Sequence, residues 1–289
     1  MQPDFIFHLA AQSLVRRSYQ NPLDTISTNA LGSASILEAV RDYKKPVVVV
    51  MITSDKAYDN VEWPWGYRET DRLGGKDPYS ASKGMAEIAI RSYIESYFKH
   101  TERNVRVGIT RAGNVIGGGD WAQNRVVPDC IRSWSQDEPV EIRNPSSTRP
   151  WQHVLEPLSG YLTLGASLYE NGDHHGEAYN FGPNLDQNYS VSELIIEMSK
   201  YWEKINWNDV SHKKDKFYEA GLLKLNCDKA LCDLNWIPTL NFSDTVRMTA
   251  SWYKTYYQDK KRKSMYEYTV GQVNEYIDLA KKKKIQWSI

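Results

Sequence analysis

The chain has 289 residues, 41% apolar and 25% charged, with Lys+Arg and Asp+Glu balanced at 36 each. Such a composition belongs to a folded globular protein of one large domain or two smaller ones. The charge balance argues against a nucleic-acid binder, and no apolar run approaches the roughly 20 residues that span a bilayer.

The opening MQPDFIFHLAAQ has no basic stretch followed by an apolar one, so no leader is expected. Three cysteines, Cys130, Cys227 and Cys232, form an odd set without CxxC spacing. That usage suits a reducing, cytoplasmic compartment. The His174-His175 pair lies in NGDHHGE, which reads as a solvated loop, and no metal site is expected.

In chain order, FIFHLAAQ at 5–12 reads as a short strand running into small residues. Asn21-Pro22 then opens a helix over about 23–43, with Ile26, Ala30, Ala34, Leu37 and Val40 near helical spacing. VVVVMI at 47–52, bounded before by Lys45-Pro46, has the pattern of a buried parallel strand. After a loop rich in turn formers, Pro78 begins a helix to about 98. VRVGITRAGNVIGGGD at 105–120 is a further strand with a glycine-rich loop behind it. This alternation predicts an α/β fold, a doubly wound parallel sheet covered by helices. Beyond about 183 the pattern loosens into a smaller mixed α/β region, with a helix near 190–204 and a lysine-rich helical tail at 272–284. The expected domains are 1–120 with a return segment at about 149–183, and 184–289 with a segment at about 121–148.

The strand at 47–52 ends in TSDK. In open α/β sheets, ligands bind beyond the carboxyl ends of the strands, which puts Ser54, Asp55 and Lys56 where chemistry is expected. Tyr79 and Lys83 of DPYSASKG stand one helical turn apart on one face. A free phenol titrates near 10, and lowering that by about three units needs roughly 4 kcal/mol, which a desolvated site with positive neighbours can supply. Tyr79 could then take a hydroxyl proton while a hydride leaves the same carbon.

HLAAQS, TNALG, TSDKAYD, YSASK, RAGNVIGGGDW and RPWQHVLEPLSGY resemble, in order and spacing, the extended short-chain dehydrogenase/reductases that act on nucleotide sugars. Within them, TSDK, WGYRE and RPWQHVLEPL are most similar to the 4,6-dehydratase branch acting on CDP-glucose. The resemblance implies a Rossmann-like fold, a bound NAD recycled within each turnover, and a homodimer formed through the helices at about 23–43 and 79–98. It also implies oxidation at C4 of the hexose, loss of water across C5 and C6, and hydride return to C6. On its motifs, Ser54 would hydrogen-bond the C4 oxygen and Asp55 would protonate the departing C6 hydroxyl. Lys56 stands where dTDP-glucose enzymes carry a glutamate base. It would act neutral, or as a cation stabilising the enolate. Leu9, Ala10, Ala11, Gln12, Thr28, Tyr79 and Lys83 would contact NAD, with Ser13 near the sugar. Asn114 and Arg149 would hold the substrate phosphates, and Arg125 and Arg143 are further candidates for the nucleotide.

The glycine fingerprint that normally follows the first strand is not in the chain, since GGG at 117–119 does not fit GxGxxG. Against the family, on the order of 70 residues would precede Met1, counting about 30 per βαβ step. The expectation is that the chain alone binds NAD poorly and turns over little. Two other readings stand: a nucleotide-sugar epimerase or decarboxylase on the same scaffold, and a non-catalytic relative acting in protein association.

Overall fold

A computed structural model describes residues 3–99, 105–170, 172–202, 205–212, 220–258 and 264–289. The chain divides into two compact units. Met1–Gly113, Leu158–Phe181 and Leu225–Trp236 form the first; Asn114–Pro157, Gly182–Lys224 and Ile237–Ile289 form the second.

The first unit is built on a four-stranded sheet of β1 (Phe5–His8), β2 (Val47–Ile52), β3 (Val105–Ala112) and the strand Ala178–Phe181, in that spatial order and all parallel. Phe7 sits opposite Val50, Val50 opposite Gly108, and Ile109 opposite Ala178. Val47–Met51 of β2 are all buried, because helices cover both faces of the sheet. On one face Leu37 and Val40 of α3 (Gly32–Val40) and Ile90 of α4 (Pro78–Tyr93) pack with Val47, Val49, Met51, Val107 and Ile109. Each such fully buried side chain contributes about 1.5–3 kcal/mol. On the other face Leu164 and Leu168 of the helix Leu155–Glu170 approach Gly108. The doubly wound parallel sheet expected from the β–α alternation is present.

β1 ends at His8, just before LAAQ, as the sequence reading expects. One element differs from that reading. The single helix expected over 23–43 consists of α2 (Pro22–Ile26), a π turn at Ser27–Leu31 and α3, preceded by an unforeseen α1 (Val15–Gln20). The physical reason lies in Asn29. Its Oδ1 accepts from the Gln12 N–H at 2.8 Å, and its Nδ2 donates to Gln12 O at 3.0 Å and Ser82 Oγ at 2.8 Å. The wider π turn brings Asn29 inward to meet these partners and leaves Thr28 exposed.

α4 begins where the sequence places it. Pro78 occupies the first turn, and the Asp77 carboxylate caps the helix by accepting from the Ser80 N–H at 3.0 Å.

The second unit is mixed α/β, as expected. Its strands pair in twos: Val115–Ile116 with Gln152–His153, Thr148–Arg149 with Tyr189–Ser190, and Val140–Ile142 with Trp207–Asp209. Around them lie the helices Val126–Trp134, Val191–Met198, Phe242–Gln258 and Met265–Lys282, over a core that includes Ile131, Trp134, Leu194, Ile195, Val246 and Tyr253. The helix expected near 190–204 ends its regular turns at Met198, and residues 203–204 lie outside the described residues, as does Asn171 of the NGDHHGE loop. The glycine run has a packing role: a Cβ on Gly118 would lie 2.0 Å from Trp252 Cγ, so only glycine lets that ring rest on the chain. Among the described residues, no helix is long and apolar enough to cross a membrane, and no group of three or more His, Cys, Asp or Glu could hold a metal ion.

Candidate active site

The first unit gathers its polar groups at the carboxyl ends of β1, β2 and β3. Past β2 the chain turns sharply through a short 3-10 helix, Asp55–Ala57. Ser54 starts this turn by accepting from the Lys56 N–H at 3.2 Å, and its hydroxyl donates to Asp55 Oδ1 at 3.0 Å. Asp55 is 2% exposed and Ser54 6%, whereas Lys56 is half-buried. The carboxylate lies against Gly113, the residue that follows Ala112 at the end of β3.

Tyr79 and Lys83 are both buried on α4, one turn apart. Burial draws the Lys83 ammonium down to about 8, and Glu87 one turn further on opposes that shift. His8, at the end of β1, also faces this lysine; burial first and then the Lys83 charge keep its imidazole below the usual range. Tyr161 of the helix Leu155–Glu170 closes the array. Burial raises its phenol, and the Asp55 charge and the Tyr79 phenol raise it further, so Tyr161 lies within electrostatic reach of both. Sequence reading singled out neither His8 nor Tyr161. Each belongs to a stretch that resembles the family, His8 opening HLAAQS and Tyr161 closing RPWQHVLEPLSGY, but neither was assigned a role.

The residues expected to contact the cofactor divide. Leu9, Ala10, Ser13 and Thr28 are exposed and Ala11 is half-buried. Gln12 is buried and braces the loop: its Nε2 donates to Thr25 Oγ1 at 2.9 Å, and its Oε1 accepts from the Leu14 N–H at 2.6 Å. Leu9 and Ala10 leave an exposed apolar surface beyond the end of β1, and Tyr79 and Lys83 on α4 offer a phenol and an ammonium, groups of the kind a nicotinamide and its ribose would need.

The expected phosphate and nucleotide residues belong to the second unit. Asn114 takes up a left-handed conformation (φ 52°), and its carbonyl accepts from the Gln152 N–H at 3.3 Å. Arg125 pairs with Asp120 at 2.9 Å, and Arg143 lies within electrostatic reach of Asp129. Arg149 is 8% exposed and its Nη1 donates to Thr148 O at 2.8 Å and Gly221 O at 3.1 Å. Its Nη2 donates to Ala220 O, so much of this guanidinium is committed to backbone carbonyls.

The open parallel sheet, with Tyr79 and Lys83 one helical turn apart on α4, matches the dehydrogenase/reductase scaffold that the sequence motifs resemble. Residues 1–249 match the family model described as GDP-mannose 4,6 dehydratase, and the chain belongs to that family. It is 44% identical over 259 residues to a CDP-glucose 4,6-dehydratase from Salmonella typhimurium, spanning 88% of this chain and 72% of that protein. In fold it is similar to a UDP-glucuronic acid 4-epimerase from Bacillus cereus solved with UDP-glucuronic acid and NAD (TM-score 0.76, 20% identity, 88% of this chain and 76% of that one). It is also similar to a dTDP-glucose 4,6-dehydratase from Streptomyces venezuelae solved with NAD (TM-score 0.69, 22% identity, 87% and 73%).

Proposed function

We infer that the protein is an NAD-dependent hydro-lyase that converts CDP-glucose to CDP-4-dehydro-6-deoxyglucose. The observation that carries this reading is the 44% identity to a CDP-glucose 4,6-dehydratase over 88% of the chain. The buried Ser54–Asp55 turn beside Tyr79 and Lys83 supports it chemically. NAD, held by Tyr79, Lys83 and the Leu9–Gln12 loop, would supply a hydride acceptor at C4 and a hydride donor at C6.

The chain's own residues do the rest. Tyr79, as phenolate, removes the C4 hydroxyl proton, and the Lys83 ammonium, protonated below about 8, favours that phenolate. Ser54 hydrogen-bonds the C4 oxygen. With C4 oxidised, the C5 proton is acidic; Lys56, as the neutral amine, takes it, and the ammonium so formed stabilises the enolate. Asp55 gives its proton to the departing C6 hydroxyl. Asn114, Arg125, Arg143 and Arg149 are the candidates for the diphosphate and the nucleotide.

A homodimer is part of this proposal. Leu23, Leu31, Met85, Ile88 and Tyr97, on the helices of residues 22–41 and 78–98, are all exposed large apolar groups, which favours burial against a second copy.

Incubating the protein with CDP-glucose and NAD, and following the sugar nucleotide by mass spectrometry, tests the reading. The expected product, formed slowly because the chain alone is expected to bind NAD poorly, is lighter by one water. Dehydration of a different nucleoside diphosphate glucose alone would overturn the substrate, and a product of unchanged mass would favour the epimerase scaffold's chemistry instead.

A further inference from the structure

Behind the candidate site lies an ion pair that the reaction scheme above does not use. Arg111 of β3 and Glu87 of α4 are both wholly buried; Arg111 Nε donates to Glu87 Oε1 at 2.6 Å, and its Nη2 to Glu87 Oε2. Taking two charges out of water is costly, and a well-packed apolar pair in the same volume is often as stable or more so. The contacts of this pair suggest what it does instead.

Both ends of the turn that carries Ser54, Asp55 and Lys56 are tied to it. At the entry, the Thr53 hydroxyl donates to Glu87 Oε1 at 2.7 Å, and the Thr53 N–H donates to Thr110 O at 2.8 Å. At the exit, the Tyr58 hydroxyl accepts from Arg111 Nη1 at 2.7 Å and donates to Asn180 Oδ1 at 2.8 Å. The guanidinium also lies over the Tyr58 ring, 4.6 Å from its centroid. Arg111 Nη1 reaches Glu69 O at 3.1 Å, and the Glu69 carboxylate accepts from the Asn180 N–H at 2.8 Å. Glu87 is, in addition, one helical turn from Lys83 and two from Tyr79 on α4. A single rigid, two-pronged contact therefore joins the turn bearing the acid to the helix bearing the base.

We propose that Glu87 and Arg111 are positioning residues: they clamp the Ser54–Lys56 turn at both ends and fix it against the Tyr79–Lys83 face of α4, so that the proton-removing and proton-giving groups meet one hexose in register. The inference rests on the dehydratase reading. It gives the pair a role that a merely space-filling core would not have, because misplacing a reacting group by about 1 Å can slow an enzyme about 100-fold without weakening substrate binding.

The test is the double variant Glu87→Met with Arg111→Met, assayed on CDP-glucose with NAD beside the parent. The expected result is a thermal midpoint at or above the parent's, a KM within about twofold of it, and a kcat lower by about 100-fold. A folded double variant with parental kcat overturns the proposal. If the double variant does not fold, Thr53→Val and Tyr58→Phe decide the matter, since each removes one clamp and leaves the ion pair in place. Each is expected to lower kcat about 10-fold at unchanged KM; parental rates in both overturn the proposal. A parent that binds NAD yet does not dehydrate CDP-glucose at saturating NAD sinks the dehydratase reading and this inference with it, whereas an active parent with unimpaired variants sinks the inference alone.

Discussion

The Asp55 carboxylate lies directly over the α-carbon of Gly113: a Cβ built there would fall 1.8 Å from Oδ2 and 2.0 Å from Cγ. No side chain, even alanine's, can coexist with that placement, so the glycine at the end of β3 is the seat of the candidate acid. Gly113→Ala is expected to push the carboxylate out of its seat and to lower dehydration by about 100-fold, the scale of a 1 Å misplacement. Steady-state kinetics on CDP-glucose check this, and a variant with parental kcat would show that Asp55 works from another position.

Asp55→Asn separates the two enzymatic readings. An amide cannot give the proton that makes C6 hydroxide a leaving group, while oxidation at C4 leaves that group untouched. The expected outcome is one burst of reduced cofactor, visible by its absorbance, with dehydrated product formed about 100 to 10,000 times more slowly. An enzyme that only inverts a carbon would tolerate the change.

Lys83 links stability to function. Its folded pKa of about 8 lies below the free value of 10.5, with burial as the main cause. Between these values the unfolded chain binds more protons, so stability rises with pH through that window, and at pH 7 the buried ammonium is a liability. Lys83→Met is therefore expected to stabilise the fold by about 1–3 kcal/mol at pH 7 while removing the charge that favours the Tyr79 phenolate. Thermal unfolding and turnover, measured on the same preparation, should move in opposite directions. In the parent, activity should decline as pH rises through about 8, where Lys83 loses its proton.

Much of the scaffold around the candidate site is legible in the sequence. Five consecutive buried positions in β2 announced a strand covered on both faces, and YSASK behind Asp77-Pro78 announced a helix start with Tyr79 and Lys83 on one side. What could not be read were partners distant in the chain. Glu87 and Arg111 are 24 residues apart and Tyr58 and Asn180 are 122 apart, so no local window contains both members of either pair. The same limit applies to Arg149, whose neighbours in sequence suit an anion clamp but whose donors also meet carbonyls 71 and 72 residues away. The π turn at Ser27–Leu31 was hidden for a related reason. Helical spacing continues smoothly through it, and only the buried partners of Asn29, 17 and 53 residues away, call for the extra residue.

The exposed apolar groups of α2–α4 give a test of assembly. Ile88 is 61% exposed and Leu31 62%, and large apolar side chains clustered on a surface mark an interface. Ile88→Glu introduces a charge that association would have to desolvate. It is expected to shift the protein from dimer to monomer in size-exclusion chromatography with light scattering, with little change in the monomer's own unfolding. A parent already monomeric at micromolar concentration would remove the dimer from the proposal.

In the second unit Glu156 is 1% exposed and accepts three hydrogen bonds, from the Thr239 N–H (3.0 Å), the Leu240 N–H (2.6 Å) and the Tyr276 hydroxyl (3.0 Å). Burial nonetheless outweighs these donors and raises its pKa to about 7 from 4.5. The native state therefore keeps the proton between pH 4.5 and 7 where the unfolded chain has lost it, and stability falls as pH rises through that window. Glu156→Gln abolishes the titration and, in either amide orientation, turns an NH2 toward a backbone N–H. The expected result is a loss of about 1–3 kcal/mol at pH 7, with a thermal midpoint that no longer declines between pH 4.5 and 7 on account of this group. Because Tyr276 belongs to the helix Met265–Lys282, hydrogen exchange in that helix should quicken in the variant while β2 and β3 stay protected.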